Sequence, residues 1–314
     1  MSPPSQADAL GQPDPRGPTP SGAIGALEAH VGSTVVSSEP ARWGTSARTH
    51  LATLADGSRF AIQELDDRGS TEARVRRAAR FGALLAAAGV PVPRVVLSDA
   101  RAEPPYMVSE VAAGRTGAEL LADPVDAIAL GTEMGRLLRR VQSVPTDGLG
   151  LPSTWSDPRR LEHAAGRWLG AARSALDGET VELLAGVIGR LTILFAGRPA
   201  VLAHGDWAPV NVLVDGRHVT AVLDWEFARA ADPLYDAAWW GWIVWHHHPD
   251  AYIHAWPAFL ETAGIDAAGE SMERLRSLGL LRLLEIVASR KVAGDPVSLA
   301  RWTDRLRTTA FPAD

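Results

Sequence analysis

Apolar residues recur every three or four positions in two segments beyond residue 122, a spacing that predicts amphipathic helices. The first stripe consists of Leu130, Met134, Leu137, Leu138 and Val141. Asp123 and Pro124 precede it as an N-cap and a first helical residue, and Pro145 ends the element. A second helix is expected from about Thr180 to Phe195, with the stripe Leu184, Val187, Ile188, Leu191 and Leu194. This part of the chain is therefore predicted to be mostly helical.

The pattern changes between Val31 and Leu65, where short β-prone runs are broken by glycine. Asp56-Gly57 predicts a hairpin turn between the runs Thr49 to Leu54 and Phe60 to Leu65. We therefore expect an antiparallel meander in this region.

A helix from about Thr71 to Ala88 is expected next, because Gly89 and two prolines beyond it are helix stop signals. The run from Pro105 to Val111 predicts a further strand. Residues 1 to 24 are rich in proline, serine and glycine, so they cannot bury enough apolar surface to offset the cost of ordering. We expect a disordered tail there.

Polar residues stand at the ends of one predicted hairpin. His204-Gly205-Asp206 precedes it, and Asn211 comes directly before the first strand, Val212 to Val214. The second strand, Val219 to Leu223, ends on Asp224. With a four-residue loop, pleat parity places Asn211 and Asp224 on the same side, about 7 Å apart along the strand. An amide oxygen and a carboxylate in this arrangement suit Mg²⁺, and Asp206 beside them suits a general base.

The order His-x-Asp, four residues, Asn, then Asp on the next strand is that of the protein-kinase catalytic loop and its metal aspartate. Here it reads His-Gly-Asp-Trp-Ala-Pro-Val-Asn and Leu-Asp-Trp-Glu, continued by Ala-Asp-Pro-Leu-Tyr-Asp. The sequence thereby resembles the aminoglycoside phosphotransferase and choline kinase-like family. The resemblance implies an α+β, bilobal protein-kinase-like fold. Residues 25–109 would form a small N-lobe with an antiparallel sheet that binds nucleotide, and residues 110–314 a larger, mostly helical C-lobe with the catalytic loop and substrate pocket.

Carried over to matching positions, the resemblance makes Asp206 the catalytic base and Asn211 and Asp224 the metal ligands. Asp232 and Asp236 match the acidic positions that follow. For both we favour a structural role, in which Asp236 caps or braces the catalytic loop. Glu226 is either a second metal contact or a solvated neighbour.

The nucleotide is expected to contact the N-lobe. The backbone amides of the small-residue loop Gly44, Thr45 and Ser46 would approach the phosphates. In the kinase-like plan, backbone groups near Glu110 and Ala112 would bind the base of the nucleotide; the alternative is an ordinary edge strand.

Gln63 departs from the family pattern, because it occupies the position expected to carry a lysine or arginine for the α- and β-phosphates. Lys291 is the only lysine in the chain, so no N-lobe lysine replaces it. Arg48, Arg59 or Arg74 could supply the charge instead. Otherwise the protein is a slow or catalytically impaired relative.

Four tryptophans lie between Trp239 and Trp245 and three histidines follow at 246–248. The tryptophans either line the substrate cleft, where aromatic rings suit a cation or a sugar face, or form a bulky core. Consecutive histidines diverge on any regular element, which argues against zinc. Four acidic residues either help bind ammonium groups or form a solvated helix face: Glu261, Asp266, Glu270 and Glu273.

Composition adds bounds to this picture. The net charge of −6 argues against nonspecific nucleic-acid binding and is compatible with a cationic substrate. There is no cysteine, which excludes disulfides and thiolate metal sites and fits a reducing interior. No stretch approaches the roughly 18 apolar residues of a membrane span, and no signal-peptide pattern is present. We expect a cytoplasmic protein without membrane or nucleic-acid partners.

The sequence thus predicts a Mg²⁺-dependent phosphotransferase that moves the γ-phosphoryl group of ATP or GTP to a hydroxyl of a small molecule, with an aminoglycoside-type or other antibiotic as the first candidate. Two alternatives stay open. The acceptor is a small metabolite such as an amino alcohol or a sugar, or the chain is a nucleotide-binding pseudokinase with a regulatory role, as Gln63 suggests.

Overall fold

The computed structural model describes residues 21–41, 48–65, 81–266 and 268–311, which form two compact units. The first takes the described residues up to Ala87, together with Pro91–Ala113 and Thr220–Val222. The second takes Ala88–Val90, Gly114–Val219 and the described residues from Leu223 onward. The strands are β1 (Val35–Pro40), β2 (Arg48–Leu54), β3 (Arg59–Glu64), β4 (Val95–Asp99), β5 (Tyr106–Glu110), β6 (Arg115–Thr116), β7 (Val201–Ala203), β8 (Val212–Asp215), β9 (His218–Val222) and β10 (Arg229–Ala231). The helices are α1 (Ser21–Val31), α2 (described over 81–87), α3 (Gly117–Leu120), α4 (Pro124–Gln142), α5 (Pro158–Ala172), α6 (Gly178–Leu194), α7 (Tyr235–His247), α8 (Pro249–Ala263), α9 (Glu270–Ala293) and α10 (Pro296–Ala310).

The first unit is built on a five-stranded antiparallel sheet in the order β1-β2-β3-β5-β4. This confirms the antiparallel meander, and Asp56-Gly57 forms the turn between β2 and β3, where the Gly57 N–H donates to the Leu54 carbonyl at 2.9 Å. Alternate residues of β3 are buried, as expected for a strand with one covered face. Of the predicted helix Thr71 to Ala88, residues 81–87 are helical and residues 71–80 lie outside the described part of the chain.

Helix α1 corrects the expected boundary of the N-terminal tail. The tail was predicted to extend to residue 24, but the helix begins at Ser21; residues 1–20 lie outside the described part. Ala23 and Leu27 are fully buried in the core of the first unit, beside Ile62 and Val108. This burial orders a segment whose composition by itself predicts no structure.

The second unit is mostly helical, as predicted. Helix α4 begins at Pro124, and the Asp123 carboxylate caps it by accepting the N–H groups of Val125 and Asp126 at 2.8 and 3.2 Å. All five residues of its predicted stripe are buried. In α6, Leu184, Leu191 and Leu194 are buried, whereas the other two predicted stripe residues are half-buried.

Helix α7 is buried along most of its length. Every residue from Tyr235 to Val244 is buried, including Trp239, Trp240 and Trp242, while Trp245 is half-buried. The helix packs against α8 and α9, so these rings meet protein on several sides. They form a bulky aromatic core, the second of the two alternatives that the sequence left open.

Two small sheets complete the description: β6-β8-β9, and β10 paired with β7. Within the described residues, no helix is long and apolar enough to cross a membrane.

Candidate active site

The loop that follows β7 is held by a buried carboxylate. Oδ2 of Asp236 accepts the backbone N–H of His204 at 2.7 Å, and Oδ1 accepts that of Gly205 at 3.0 Å. Burial raises the pKa of Asp236, although the two backbone N–H groups act in the opposite direction. Asp236 therefore braces the loop that carries Asp206, as predicted.

Gly205 is the residue that lets the loop turn at this point. Its φ of +87° lies in the left-handed region, and a Cβ there would come 2.1 Å from the Phe227 carbonyl oxygen. The glycine between His204 and Asp206 is thus required by both conformation and space.

The His204 ring ties the loop to the segment that carries Asp224. Its Nε2 lies 2.7 Å from the carbonyl oxygen of Leu223, and its Nδ1 accepts the backbone N–H of Asp206 at 3.2 Å. Because Nδ1 is an acceptor, Nε2 carries the proton, and the ring is the neutral Nε2–H tautomer. The ring also packs edge-on against Trp225, with 4.6 Å between centroids.

The Asp206 carboxylate accepts one neutral N–H donor on each oxygen. Asn211 Nδ2 donates to Oδ2 at 2.8 Å, and Trp239 Nε1 donates to Oδ1 at 2.7 Å. Asn211 Nδ2 also donates to the Asp206 backbone carbonyl at 2.9 Å. These donors fix the orientation of the carboxylate. Asp206 is half-buried, so the residue keeps some exposure to solvent.

Asn211 and Asp224 provide a donor set that fits Mg²⁺. Both hydrogen bonds of the Asn211 amide come from Nδ2, which leaves Oδ1 as the atom for a cation. The Leu223 N–H donates to the Asn211 carbonyl at 2.8 Å and so links the backbone near the two residues. Asp224 has a φ of 62°, the only positive φ outside glycine among the described residues, a conformation that clusters at functional sites. An amide oxygen and a carboxylate are hard oxygen ligands, which Mg²⁺ prefers.

Asp232 has a structural role, as predicted. Its carboxylate makes a bidentate ion pair with Arg198 and accepts the Leu234 N–H at 2.8 Å. It is buried and holds the turn into α7. Glu226 is half-buried near Asp224 in the chain, and its predicted alternatives both stay open.

The residues predicted for the nucleotide side belong to the first unit. Gly44, Thr45 and Ser46 lie outside the described residues. Gln63 lies on β3 opposite Thr49 and Met107, and its side chain is half-buried. Ala112 is half-buried after β5.

Glu110 is the last residue of β5, and its backbone N–H already has a hydrogen-bond acceptor. Its N–H donates to the Arg94 carbonyl at 3.0 Å, and its carboxylate forms an ion pair with the Arg94 guanidinium. The backbone N–H of Glu110 is therefore not available to a nucleotide base in this conformation. The roles of Gln63, Glu110 and Ala112 stay predictions.

Sequence reasoning missed the contact of Trp239 with Asp206, and it missed Arg282 altogether. Trp239 lies three residues after Asp236 on α7, and residues at that spacing share a helix face, so a brace at Asp236 implies a second contact at Trp239. The Arg282 guanidinium lies 5.5 Å from the Trp239 ring centroid and bonds Glu285 through Nη1 at 2.5 Å. Burial by itself would lower the pKa of Arg282, but Tyr235, Glu285 and Asp206 together raise it. No sequence pattern indicates Arg282.

The histidines at 246–248 and two of the acidic residues are accounted for by burial and by ion pairs. Burial, aided by nearby His246 and Arg305, lowers the pKa of His247 to about 3, so its imidazole is neutral. Among the described residues, no group of three or more His, Asp or Glu could hold a metal ion. Glu270 and Glu273 pair with Arg274 and Arg190, at 2.7 and 2.5 Å. These two carboxylates form a solvated helix face with their own counter-ions.

Three comparisons with known proteins bear on this geometry. The sequence model described as the phosphotransferase enzyme family matches residues 37–278. Comparison with curated protein sequences gives no significant match.

Several solved structures share the fold. The GDP complex of aminoglycoside 2'-phosphotransferase-IIIa aligns with a TM-score of 0.71 and 14% identity, covering 88% of this chain and 93% of that one. Macrolide 2'-phosphotransferase MphH from Brachybacterium faecium aligns at 0.64 and 19% identity, covering 93% and 99%. A thermostable APH(4)-Ia mutant in a ternary complex with ADP and hygromycin B aligns at 0.66 and 17% identity, covering 94% and 100%. These likenesses confirm the α+β, kinase-like fold.

Proposed function

The chain belongs to this phosphotransferase enzyme family, and we propose that it transfers the γ-phosphoryl group of ATP or GTP to a hydroxyl of a small molecule. The observation that carries the proposal is the Asp206 carboxylate, fixed by one N–H donor on each oxygen and mounted on a loop that Asp236 braces from within. A carboxylate held in this way has a defined direction in which to accept a hydroxyl proton.

Asp206 would orient the acceptor hydroxyl and take its proton as the new oxygen–phosphorus bond forms and the bond from the γ-phosphorus to the departing nucleoside diphosphate breaks. Each of its oxygens keeps a lone pair beyond the one occupied by a donor. Asn211 Oδ1 and the Asp224 carboxylate would hold Mg²⁺, which when bound neutralises charge on the phosphates. Catalysis in such a site comes mainly from position and electrostatics.

The acceptor that we propose first is an antibiotic of the aminoglycoside type, followed by other hydroxyl-bearing antibiotics. Two observations support this choice: the names of the structurally similar proteins, which are aminoglycoside and macrolide phosphotransferases, and the net charge of −6, which is compatible with a cationic substrate. The structurally similar proteins include complexes with GDP, ADP and AMP-PNP, so both ATP and GTP are candidate donors. The absence of cysteine fits a reducing compartment, and we place the reaction in the cytoplasm.

Gln63 favours a second candidate, a nucleotide-binding pseudokinase with a regulatory role. Glutamine on β3 can donate a hydrogen bond but brings no charge to the phosphates. A small-metabolite kinase is the remaining alternative for the acceptor.

The test is Mg²⁺-dependent ATP and GTP consumption across aminoglycosides, macrolides, other hydroxyl-bearing antibiotics, amino alcohols and sugars. We expect acceptor-dependent turnover that Asp206→Ala lowers by about 10²- to 10⁴-fold with nucleotide binding largely intact. Asp215→Ala is the matched control, because Asp215 is an exposed aspartate in the same hairpin. Nucleotide binding without turnover on any acceptor would favour the pseudokinase, and equal turnover by the two variants would refute the role of Asp206.

A further inference from the structure

Trp239 makes a hydrogen bond to the proposed base that the phosphotransfer scheme above does not use. Its indole N–H lies 2.7 Å from Asp206 Oδ1, and the side chain is only 4% exposed. A buried tryptophan usually finds some partner for its N–H, but here that partner is the reacting carboxylate itself.

Neighbouring side chains fix the indole in place. Trp242 stacks on Trp239 with 5.0 Å between ring centroids and 17° between planes. The Arg282 guanidinium lies 5.5 Å from the Trp239 ring centroid and is itself held by Glu285. A cation near the ring attracts its π electrons, which makes the indole N–H a stronger donor. The position and the strength of the hydrogen bond to Asp206 are therefore both set by packing.

We propose that Trp239 is a positioning residue for phosphoryl transfer, which fixes the orientation of the Asp206 carboxylate through its indole N–H. With Asn211 on the other oxygen, it locks the carboxylate at both ends. Both donors are neutral. A direct ion pair would also hold the carboxylate, but it would weaken it as a proton acceptor. This inference rests on the proposed function.

The kinetic test compares Trp239→Phe with Trp240→Phe. Trp240 is the next residue of α7 and is fully buried, and its Nε1 has no hydrogen-bond partner among the described residues. Both variants remove an indole from the same helix, and only the first removes a bond to Asp206. We expect Trp239→Phe to lower kcat by about 10- to 100-fold, the worth of a hydrogen bond to a charged group. KM for the nucleotide and the acceptor should change little.

Equal kcat values for the two variants would overturn the inference while leaving the proposed function standing. So would a rise in acceptor KM at unchanged kcat, since Trp239 would then only contact the acceptor. Absence of acceptor-dependent turnover in the unmodified protein would count against the proposed function instead.

A second measurement does not depend on turnover. In protein labelled with ¹⁵N at the indole nitrogens, the Trp239 and Trp240 signals are assigned by their loss in the two phenylalanine variants. Asp206→Asn should shift the Trp239 N–H resonance, because its acceptor loses charge, and leave that of Trp240 in place. An unmoved Trp239 signal would refute the hydrogen bond and with it the inference.

Discussion

At the scale of single residues, two aspartates of the candidate site accept hydrogen bonds in different ways. Asp236 is buried and accepts backbone N–H groups, so it fixes the path of the chain. Asp206 is half-buried and accepts side-chain N–H groups, so it is itself fixed and stays accessible. The same residue type thus has a structural task in one position and a proposed chemical task in the other.

Asp236→Asn should destabilise the protein in a pH-dependent way. Both oxygens of the Asp236 carboxyl group can accept an N–H, even when the group is protonated, whereas the asparagine NH₂ cannot, so we expect a loss of about 1–3 kcal/mol. The folded-state pKa of Asp236 lies above the ordinary value of 3.8, because burial disfavours its charge. Its contribution to stability is therefore greatest below 3.8 and is lost as the pH rises through the folded-state value.

Urea unfolding in buffers from just below 3.8 to neutral pH tests this expectation. The difference in unfolding free energy between the unmodified protein and Asp236→Asn should shrink as the pH rises. Asp215→Asn, at the exposed end of β8, is the control and should show a small difference at every pH. A difference that grows with pH would contradict the raised pKa.

Those residues of the candidate site that lie close together in the chain could be predicted from the sequence. Asp206, Asn211 and Asp224 stand at spacings that a hairpin converts into proximity, and the structure joins Asn211 to Asp206 by a hydrogen bond. Trp239 approaches the site through the packing of α7, and Arg282 through α9. Those contacts depend on how distant helices pack, which local periodicity does not encode.

At the scale of elements, helices α4 and α8 pack very closely because α4 has glycines on the contact face. A Cβ at Gly131 would lie 2.3 Å from the Ala255 carbonyl oxygen, and one at Gly135 would lie 2.4 Å from that of Phe259. The two glycines are one helical turn apart, so they form a continuous strip on α4. The contact helps to hold the C-terminal helices that carry the aromatic core.

Gly135→Ala should therefore destabilise the protein, by about 1–3 kcal/mol, because the added methyl group forces the α8 backbone away. Gly189→Ala is a control with the opposite expected sign. Gly189 is an exposed glycine within α6 where a Cβ would meet nothing within 4 Å, so alanine should stabilise by about 0.5–1 kcal/mol through helix propensity. Thermal or denaturant unfolding measures the change in unfolding free energy of both variants. A stabilising Gly135→Ala would show that the two helices can separate without cost.

Helices with strong stripes and caps were predictable, and helices ordered only by packing were not. Helix α4 begins at the proline and cap that the sequence indicates. Helix α1 has alanine and glycine in place of a wide apolar stripe. Only two of its side chains, Ala23 and Leu27, are fully buried. For α7 the sequence allowed both a cleft wall and a core, because a helix that is apolar all round has no preferred face.

At the scale of the whole molecule, the chain divides the expected tasks between its two units. Asp206, Asn211 and Asp224 belong to the second unit, and Gln63 lies on β3 of the first. The family pattern expects a cation on that strand for the nucleotide phosphates, and the chain has only one lysine, Lys291. Substitution of Gln63 can therefore show whether another group of the protein supplies the positive charge that binds the nucleotide phosphates.

Gln63→Lys should tighten nucleoside triphosphate binding by about three- to tenfold, because a charge-assisted hydrogen bond is stronger than a neutral one. Calorimetric titration of ATP and GTP measures the change. Val36→Lys is the control, since Val36 is 62% exposed on β1 of the same unit and adds the same charge away from β3. A gain by Gln63→Lys alone would mean that the unmodified protein holds the phosphates weakly at this position. Equal affinities in the two variants would mean that another group, such as an arginine, already supplies the charge. Gln63 would then no longer be an argument for a pseudokinase.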